Sequence, residues 1–87
     1  VNEAPSGEGT SQVRVRHLDR VGVLASVLST LRAADLNVQY MDNRVFSGKK
    51  AAVASIEVVG AVPIGLYDEL VSLEHVLGVS LLDKRAV

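Results

Sequence analysis

The sequence predicts an α+β domain with a ferredoxin-like βαββαβ sandwich, in which a four-stranded antiparallel sheet carries two helices on one face. Four segments alternate apolar and polar residues as strands do, and two segments repeat apolar residues at helical spacing. The six segments follow one another in the order strand, helix, strand, strand, helix, strand. With 87 residues, 48% hydrophobic but only 3% aromatic, the chain should form a small aliphatic core.

The chain begins with a segment that has almost nothing to bury. Residues 1–10 are rich in Gly, Ser, Glu and Pro, so we predict that they form a linker or tail from an upstream domain. A single small domain is predicted over 11–87. The first strand is predicted over Ser11–His17, because its residues alternate with period two. The face toward the helices should hold Val13, Val15 and His17, and the face toward solvent or a partner Gln12, Arg14 and Arg16.

The first helix is predicted to begin near Val21 or Gly22 and to end around Ala34–Asp35, since Asp tolerates a left-handed turn. Its buried stripe recurs every three or four residues. The stripe comprises Val23, Leu24, Val27, Leu28 and Leu31.

The second strand is predicted over Leu36–Phe46. Neither of its faces is apolar along the whole length, which indicates a bulge or a change of exposure near Met41. Turn residues at 47–50 then lead into an antiparallel third strand over Ala51–Val59.

The last two elements follow a break at residues 60–63. Pro63 suits the first turn of a second helix. Residues 74–78 read as a connector and Val79–Lys84 as the final strand. The buried stripe of this helix should be Leu66, Leu70, Val71 and Leu73.

Composition excludes several function classes. The net charge of −1, with basic and acidic residues intermixed, gives no field for nucleic acid or an anionic membrane, and the predicted sheet lacks stacking aromatics. There is no cysteine, and His17 and His75 are too far apart in the chain to suggest a metal site. No acid–base pair can be assembled, and the Gly7–Gly9 segment precedes no helix. We therefore expect no catalytic residues, no metal and no cofactor in this fragment, no membrane span, and a cytoplasmic location.

The corner between the first strand and the first helix is the candidate binding site. The first amides of a helix are unpaired and can bind a carboxylate, while Asp19 can meet an ammonium group. Gly22 admits a ligand close to the backbone, and His17 ends the strand beside it. These features together suit an α-amino acid. Each also has a plainer interpretation: Asp19 as a helix cap, His17 hydrogen-bonded to backbone, Gly22 as turn chemistry and Asn37 as a satisfied edge residue.

The sequence resembles the ACT domains, a family of small amino-acid-sensing modules. The resemblance lies in the run His17-Leu18-Asp19-Arg20-Val21-Gly22-Val23-Leu24 and in Ala34-Asp35-Leu36-Asn37-Val38. It continues through the 47–49 turn to Leu77-Gly78-Val79, and so covers nearly everything after the tail. Because a histidine lies two residues before Asp19, the sequence more narrowly resembles the C-terminal regulatory domain of D-3-phosphoglycerate dehydrogenases.

The resemblance implies a non-catalytic regulatory domain of an enzyme of L-serine biosynthesis, an NAD-dependent oxidoreductase whose NAD would lie in a separate domain. It implies an effector, L-serine, held between two ACT domains of a homodimer, with Asn37 coming from the opposite subunit. The predicted effector-binding residues are His17, Asp19, Arg20, Val21, Gly22, Val23 and Asn37. The alternative is a structural dimerisation module that needs no ligand.

Three positions depart from the family pattern. Residue 21 is Val where Pro is usual, residue 19 is Asp where the serine-binding form has Asn, and residue 35 is Asp where Gly is common. The first of these loosens the backbone of the corner, and the second leaves the identity of the effector open.

Overall fold

The predicted ferredoxin-like fold is confirmed in a computed structural model, which describes residues 10–46, 48 and 50–83. Its strands are antiparallel and lie in the order β2-β3-β1-β4. The elements are β1 (Thr10–Leu18), α1 (Val23–Ala33), β2 (Asn37–Val45), β3 (Ala51–Val59), α2 (Leu66–Val71) and β4 (Val76–Asp83). Residues 1–9 of the predicted tail and Lys84 of the predicted last strand lie outside the described residues.

The core fills the space between the sheet and the two helices. Alternate residues of β1 and β3 point to the helices, and the residues between them face the other way, so Arg14 and Arg16 are exposed as predicted. The core side chains are aliphatic and at most 5% exposed, which is where most of the folding free energy arises. They are Val13, Val15, Val27, Leu31, Leu36, Ala54, Ile56, Val58, Leu66 and Leu70.

β2 contains the bulge that the sequence indicated near Met41. The pairing with β3 shifts between Val38 and Tyr40, so the extra residue is Gln39, two positions before Met41. An extra residue moves every later side chain to the other face. Strict alternation along the strand predicts that Val38 shares a face with Tyr40 and Asp42, and this prediction is wrong. Val38 instead shares the helix side with Met41, Asn43 and Val45.

α1 ends as predicted, and its start lies slightly later than expected. The helix starts at Val23, and Asp35 adopts a left-handed φ of 65° just after its end. The amide of Asp35 donates to the Arg32 carbonyl at 2.9 Å, and the amide of Leu36 donates to the Leu31 carbonyl at 3.1 Å. These two bonds form a Schellman motif, which satisfies carbonyls at the helix end.

The boundaries of the last two elements differ from the prediction. α2 begins three residues after Pro63, and Val71 is 36% exposed, so Val71 does not belong to the buried stripe. β4 begins at Val76 rather than Val79, with an irregularity opposite Arg16 and His17. Residues 76–78 of the predicted connector therefore belong to the sheet, and residues 74 and 75 form the turn before it. Within the described part of the chain, neither helix is long and apolar enough to cross a membrane.

Candidate functional site

The backbone of the corner between β1 and α1 is fixed by hydrogen bonds to two other loops. The Leu18 amide donates to the His75 carbonyl at 2.9 Å, and the Asp19 amide donates to the Lys50 carbonyl at 2.7 Å. The Arg20 amide turns back to the Leu18 carbonyl at 2.9 Å. The corner is therefore held in one conformation although most of its side chains face solvent.

α1 begins without a side-chain cap, so the interpretation of Asp19 as a helix cap is wrong. The N-cap residue is Gly22, whose φ of 87° lies in the left-handed region and whose carbonyl accepts from the Ser26 amide at 3.0 Å. No acidic residue occupies the first turn. Within the described part of the chain, the amides of Leu24 and Ala25 have no acceptor, which is the usual state of a helix start.

The predicted corner residues differ in exposure. Asp19, Arg20, Val21 and Gly22 are exposed, and the Val21 side chain is fully so. Val23, in contrast, is buried in contact with the core side of the domain. The amide of Val23 already donates to the Arg20 carbonyl at 3.3 Å, whereas the carboxylate of Asp19 is open to an approaching cation.

His17 is buried rather than open to the corner. Its ring is 2% exposed, and both ring nitrogens have partners. Nδ1 lies 2.9 Å from the Leu18 carbonyl oxygen, which agrees with the plainer interpretation of a histidine bonded to backbone. Nε2 lies 3.0 Å from Oδ1 of Asn43, a residue of β2 that sequence reasoning missed.

Asn37 lies at the opposite end of the domain from the corner. It pairs with Val59 on β3, while His17 pairs with Ala52. These two residues of β3 are seven positions apart, or about 23 Å at 3.3 Å per residue. Pairing with Val59 also places Asn37 on the helix-free side of the sheet, opposite to His17. Asn37 and the corner can act on one ligand only if they come from different copies of the chain.

The other surface features of the described residues lie away from the corner. The residues that the structure describes include no group of three metal-ligating side chains. Three shallow depressions share Arg14 in their walls, and one of them also reaches Tyr67 of α2. A fourth lies between α1 and α2. None of these four is lined by a residue of the corner, so the corner is an open surface in a single subunit.

No family model and no curated protein matches the sequence. Solved structures do match. The ACT domain of the GTP pyrophosphokinase of Chlorobium tepidum is 14% identical, with 84% of this chain and 96% of that one covered and a TM-score of 0.67. The C-terminal domain of the MgtC protein of Mycobacterium tuberculosis is 19% identical over 93% of each chain, with a TM-score of 0.71. A homoserine dehydrogenase of Thiobacillus denitrificans is 18% identical over 86% of this chain and 17% of its own, with a TM-score of 0.67. At these identities the likeness shows the fold, and the fold of this chain is the ferredoxin-like fold of ACT domains.

Proposed function

We propose that this chain is a regulatory domain that binds an amino-acid effector, with L-serine the first candidate, between two copies of itself. The observation that carries the proposal is the corner: an exposed, backbone-anchored helix start with two amides free to bind a carboxylate, beside the exposed carboxylate of Asp19. A carboxylate at the amides of Leu24 and Ala25 is stabilised by the partial positive charge of the helix start. The ammonium group of the same molecule then pairs with Asp19.

The effector needs a second surface, because the corner is open in one subunit. β2 is an edge strand, and its helix-side residues Val38, Met41 and Val45 are still 36–49% exposed. Antiparallel pairing of two β2 strands joins the two sheets into one of eight strands and covers part of this apolar surface. It also brings Asn37 of one copy to the end of β2 at which the corner of the other copy lies. Asn37 is in this way the proposed contact from the second subunit.

The experiment is calorimetric titration of the chain with a panel of L-amino acids, after sedimentation equilibrium has established its oligomeric state. We expect L-serine to bind the dimer, and Asp19→Ala to weaken binding about tenfold or more, as loss of a charge-assisted hydrogen bond does. Asp68→Ala, another exposed aspartate on α2, is the matched control and should bind as the wild type does. Neither heat nor a thermal shift with any amino acid, on a verified dimer, overturns the proposal.

A structural dimerisation module is the second candidate, and the exposed apolar residues of β2 favour it. This function uses the same edge strand but assigns no ligand to the corner. It predicts a dimer that forms without effector and is unchanged by Asp19→Ala, together with no heat in the titration. The same set of measurements therefore separates the two functions.

The parent enzyme is the finer part of the proposal and rests on the sequence resemblance alone. We propose an NAD-dependent dehydrogenase of the D-3-phosphoglycerate dehydrogenase kind, regulated through this domain. We propose that NAD is held by a separate domain, because neither strand-to-helix connection of the described chain is a glycine-rich phosphate loop. The β1–α1 corner has Gly22 alone, and the β3–α2 connection has Gly60 and Gly65 with four other residues between them. A chain that joins this domain to a dinucleotide-binding fold would support the assignment, and one that joins it to another kind of enzyme would overturn it.

A further inference from the structure

The hydrogen bond between His17 and Asn43 joins two strands that are not neighbours. His17 lies on β1 and Asn43 on β2, with β3 between them. The residues of β3 that pair with them are Ala52 and Ala54, both fully buried on the same side of the sheet. Because alanine is small, the imidazole ring can extend over β3 and reach the Asn43 amide at 3.0 Å.

The donors and acceptors of this pair permit two arrangements. The Leu18 carbonyl can only accept, so Nδ1 of His17 must carry a proton. If Nε2 is also protonated, it donates to Oδ1 of Asn43, and the NH₂ group of Asn43 points away from the ring. If Nε2 is unprotonated, it must accept, so the NH₂ group turns toward the ring and Oδ1 points away.

Asn43 carries this outer group on the side of the sheet that also holds His17. It is half-buried, lies on the same side of the sheet as His17, and belongs to the edge strand across which the second subunit is proposed to pair. The buried ring of His17, in contrast, has no nitrogen left for a ligand. The bulge at Gln39 puts Asn37 on the opposite side of the sheet.

We propose that Asn43 contacts the carboxylate of the effector, and that His17 is a positioning residue whose protonation turns the NH₂ group of Asn43 outward. The inference rests on the proposed function, since it specifies how the same site recognises its ligand. An outward NH₂ donates to a carboxylate, whereas an outward Oδ1 repels one. Binding of a carboxylate therefore takes up a proton when His17 starts out neutral, and is strongest when His17 is already charged.

The residues packed around the ring are apolar, and the charged groups lie beyond them. The residues paired with or beside the ring on β3 and β4 are Ala52, Ala54 and Val76, and α1 presents apolar residues to this side. Charged or titratable groups at the corner and the adjoining loops are Asp19, Arg20, Lys50, Glu74 and His75, and the side chain of His75 lies 3.7 Å from the Glu74 carboxylate. Asp42 and Arg44 flank Asn43 on β2 but project to the other side of the sheet.

The first test needs no ligand. Nitrogen NMR of the His17 ring and NOEs from the Asn43 side-chain amide protons are recorded between about pH 5 and pH 8. We expect the amide protons to lie near the ring while it is neutral and to move away from it when Nε2 gains a proton. An Asn43 amide that keeps one orientation while His17 titrates overturns the inference.

The second test uses L-serine and calorimetry in two buffers of different ionisation enthalpy. We expect proton uptake on binding under conditions in which the NMR spectrum shows a neutral His17 ring, and none where it shows a charged ring. Asn43→Ala should weaken binding about tenfold or more, and Asn43→Asp, which keeps an acceptor for His17 but offers no donor, should do so with the fold intact. Asp68→Ala, at an exposed position on α2, is the matched control and should change neither binding nor proton uptake.

The two proposals fail in different ways. Serine binding without proton uptake, and with Asn43→Asp binding as tightly as the wild type, overturns the inference and leaves the proposed function standing. Failure of every amino acid to bind the wild-type dimer overturns the proposed function and the effector contact together. Circular dichroism and the unfolding midpoint of each variant establish that any loss of binding occurs in a folded domain.

Discussion

Gly22→Ala should destabilise the domain, whereas the same change at Gly65 should not. Both glycines are N-caps, and a Cβ added to either would meet no atom within 4 Å. They differ in backbone conformation, since φ is 87° at Gly22 and −82° at Gly65. The comparison therefore isolates the cost of holding a side chain in the left-handed region.

The expected magnitude follows from two opposing contributions. An L-residue in the left-handed region costs roughly 1–2 kcal/mol, and replacement of Gly by Ala reduces the entropy of the unfolded chain by about 0.4–1 kcal/mol in both variants. Loss of the mild N-cap preference of glycine is common to both sites and cancels in the comparison. We expect Gly22→Ala to be about 1–2 kcal/mol less stable than Gly65→Ala.

Urea unfolding followed by circular dichroism gives the two free energies, and a thermal melt gives a check. For a domain of this size a difference of about 1 kcal/mol moves Tm by roughly 4–8 °C. Gly22→Asn should recover most of the loss, because Asn tolerates positive φ and caps helices well. Unfolding free energies of Gly22→Ala and Gly65→Ala that agree within about 0.5 kcal/mol would refute the backbone argument.

Three further changes test other parts of the structure. Asp35→Gly should raise the free energy of unfolding by roughly 0.5–1 kcal/mol, since Asp35 has positive φ at the end of α1, and an unchanged urea midpoint would contradict this. Ile56→Ala, in the fully buried centre of β3, should cost roughly 2–5 kcal/mol, while Leu82→Ala, at a 56% exposed position, should stay within about 0.5 kcal/mol; equal effects would show that the core is misplaced. Val45→Lys should weaken dimerisation in sedimentation equilibrium and leave monomer stability within about 0.5 kcal/mol, and a dimer of undiminished affinity would count against pairing through β2.

The element order was predictable because the strongest signals in this sequence are local. Alternation in β1 and β3 and the three- and four-residue spacing in α1 record which side of each element is buried. The end of α1 was also predictable, since Asp35 is a residue type that accepts positive φ. The bulge in β2 was only approximately predictable, because its edge position leaves both sides partly exposed and blurs the pattern that would fix the extra residue at Gln39.

The candidate site was harder to predict than the fold. Sequence reasoning found the corner but expected Asp19 as the plainest cap, whereas Gly22 caps α1 through a positive φ that no side-chain pattern reveals. Burial of His17 was expected from its place beside Val13 and Val15 on β1. Its partner Asn43 was not, because the contact crosses an intervening strand and depends on the alanines of β3. The sequence signal for this contact is a pair of alanines on the buried side of a strand, with polar residues at the matching positions of the two neighbouring strands.

The contact of His17 with Asn43 over Ala52 and Ala54 of β3 has a consequence for the register in which β2 pairs with β3. An edge strand with little apolar contrast between its two sides has weakly specified register. A slip of one residue would carry Asn43 to the other side of the sheet and leave a buried imidazole nitrogen without a partner, at a cost of about 1–3 kcal/mol. The hydrogen bond between His17 and Asn43 thus favours one register of β2 on β3. It fixes the edge of the sheet along which a second copy is proposed to pair.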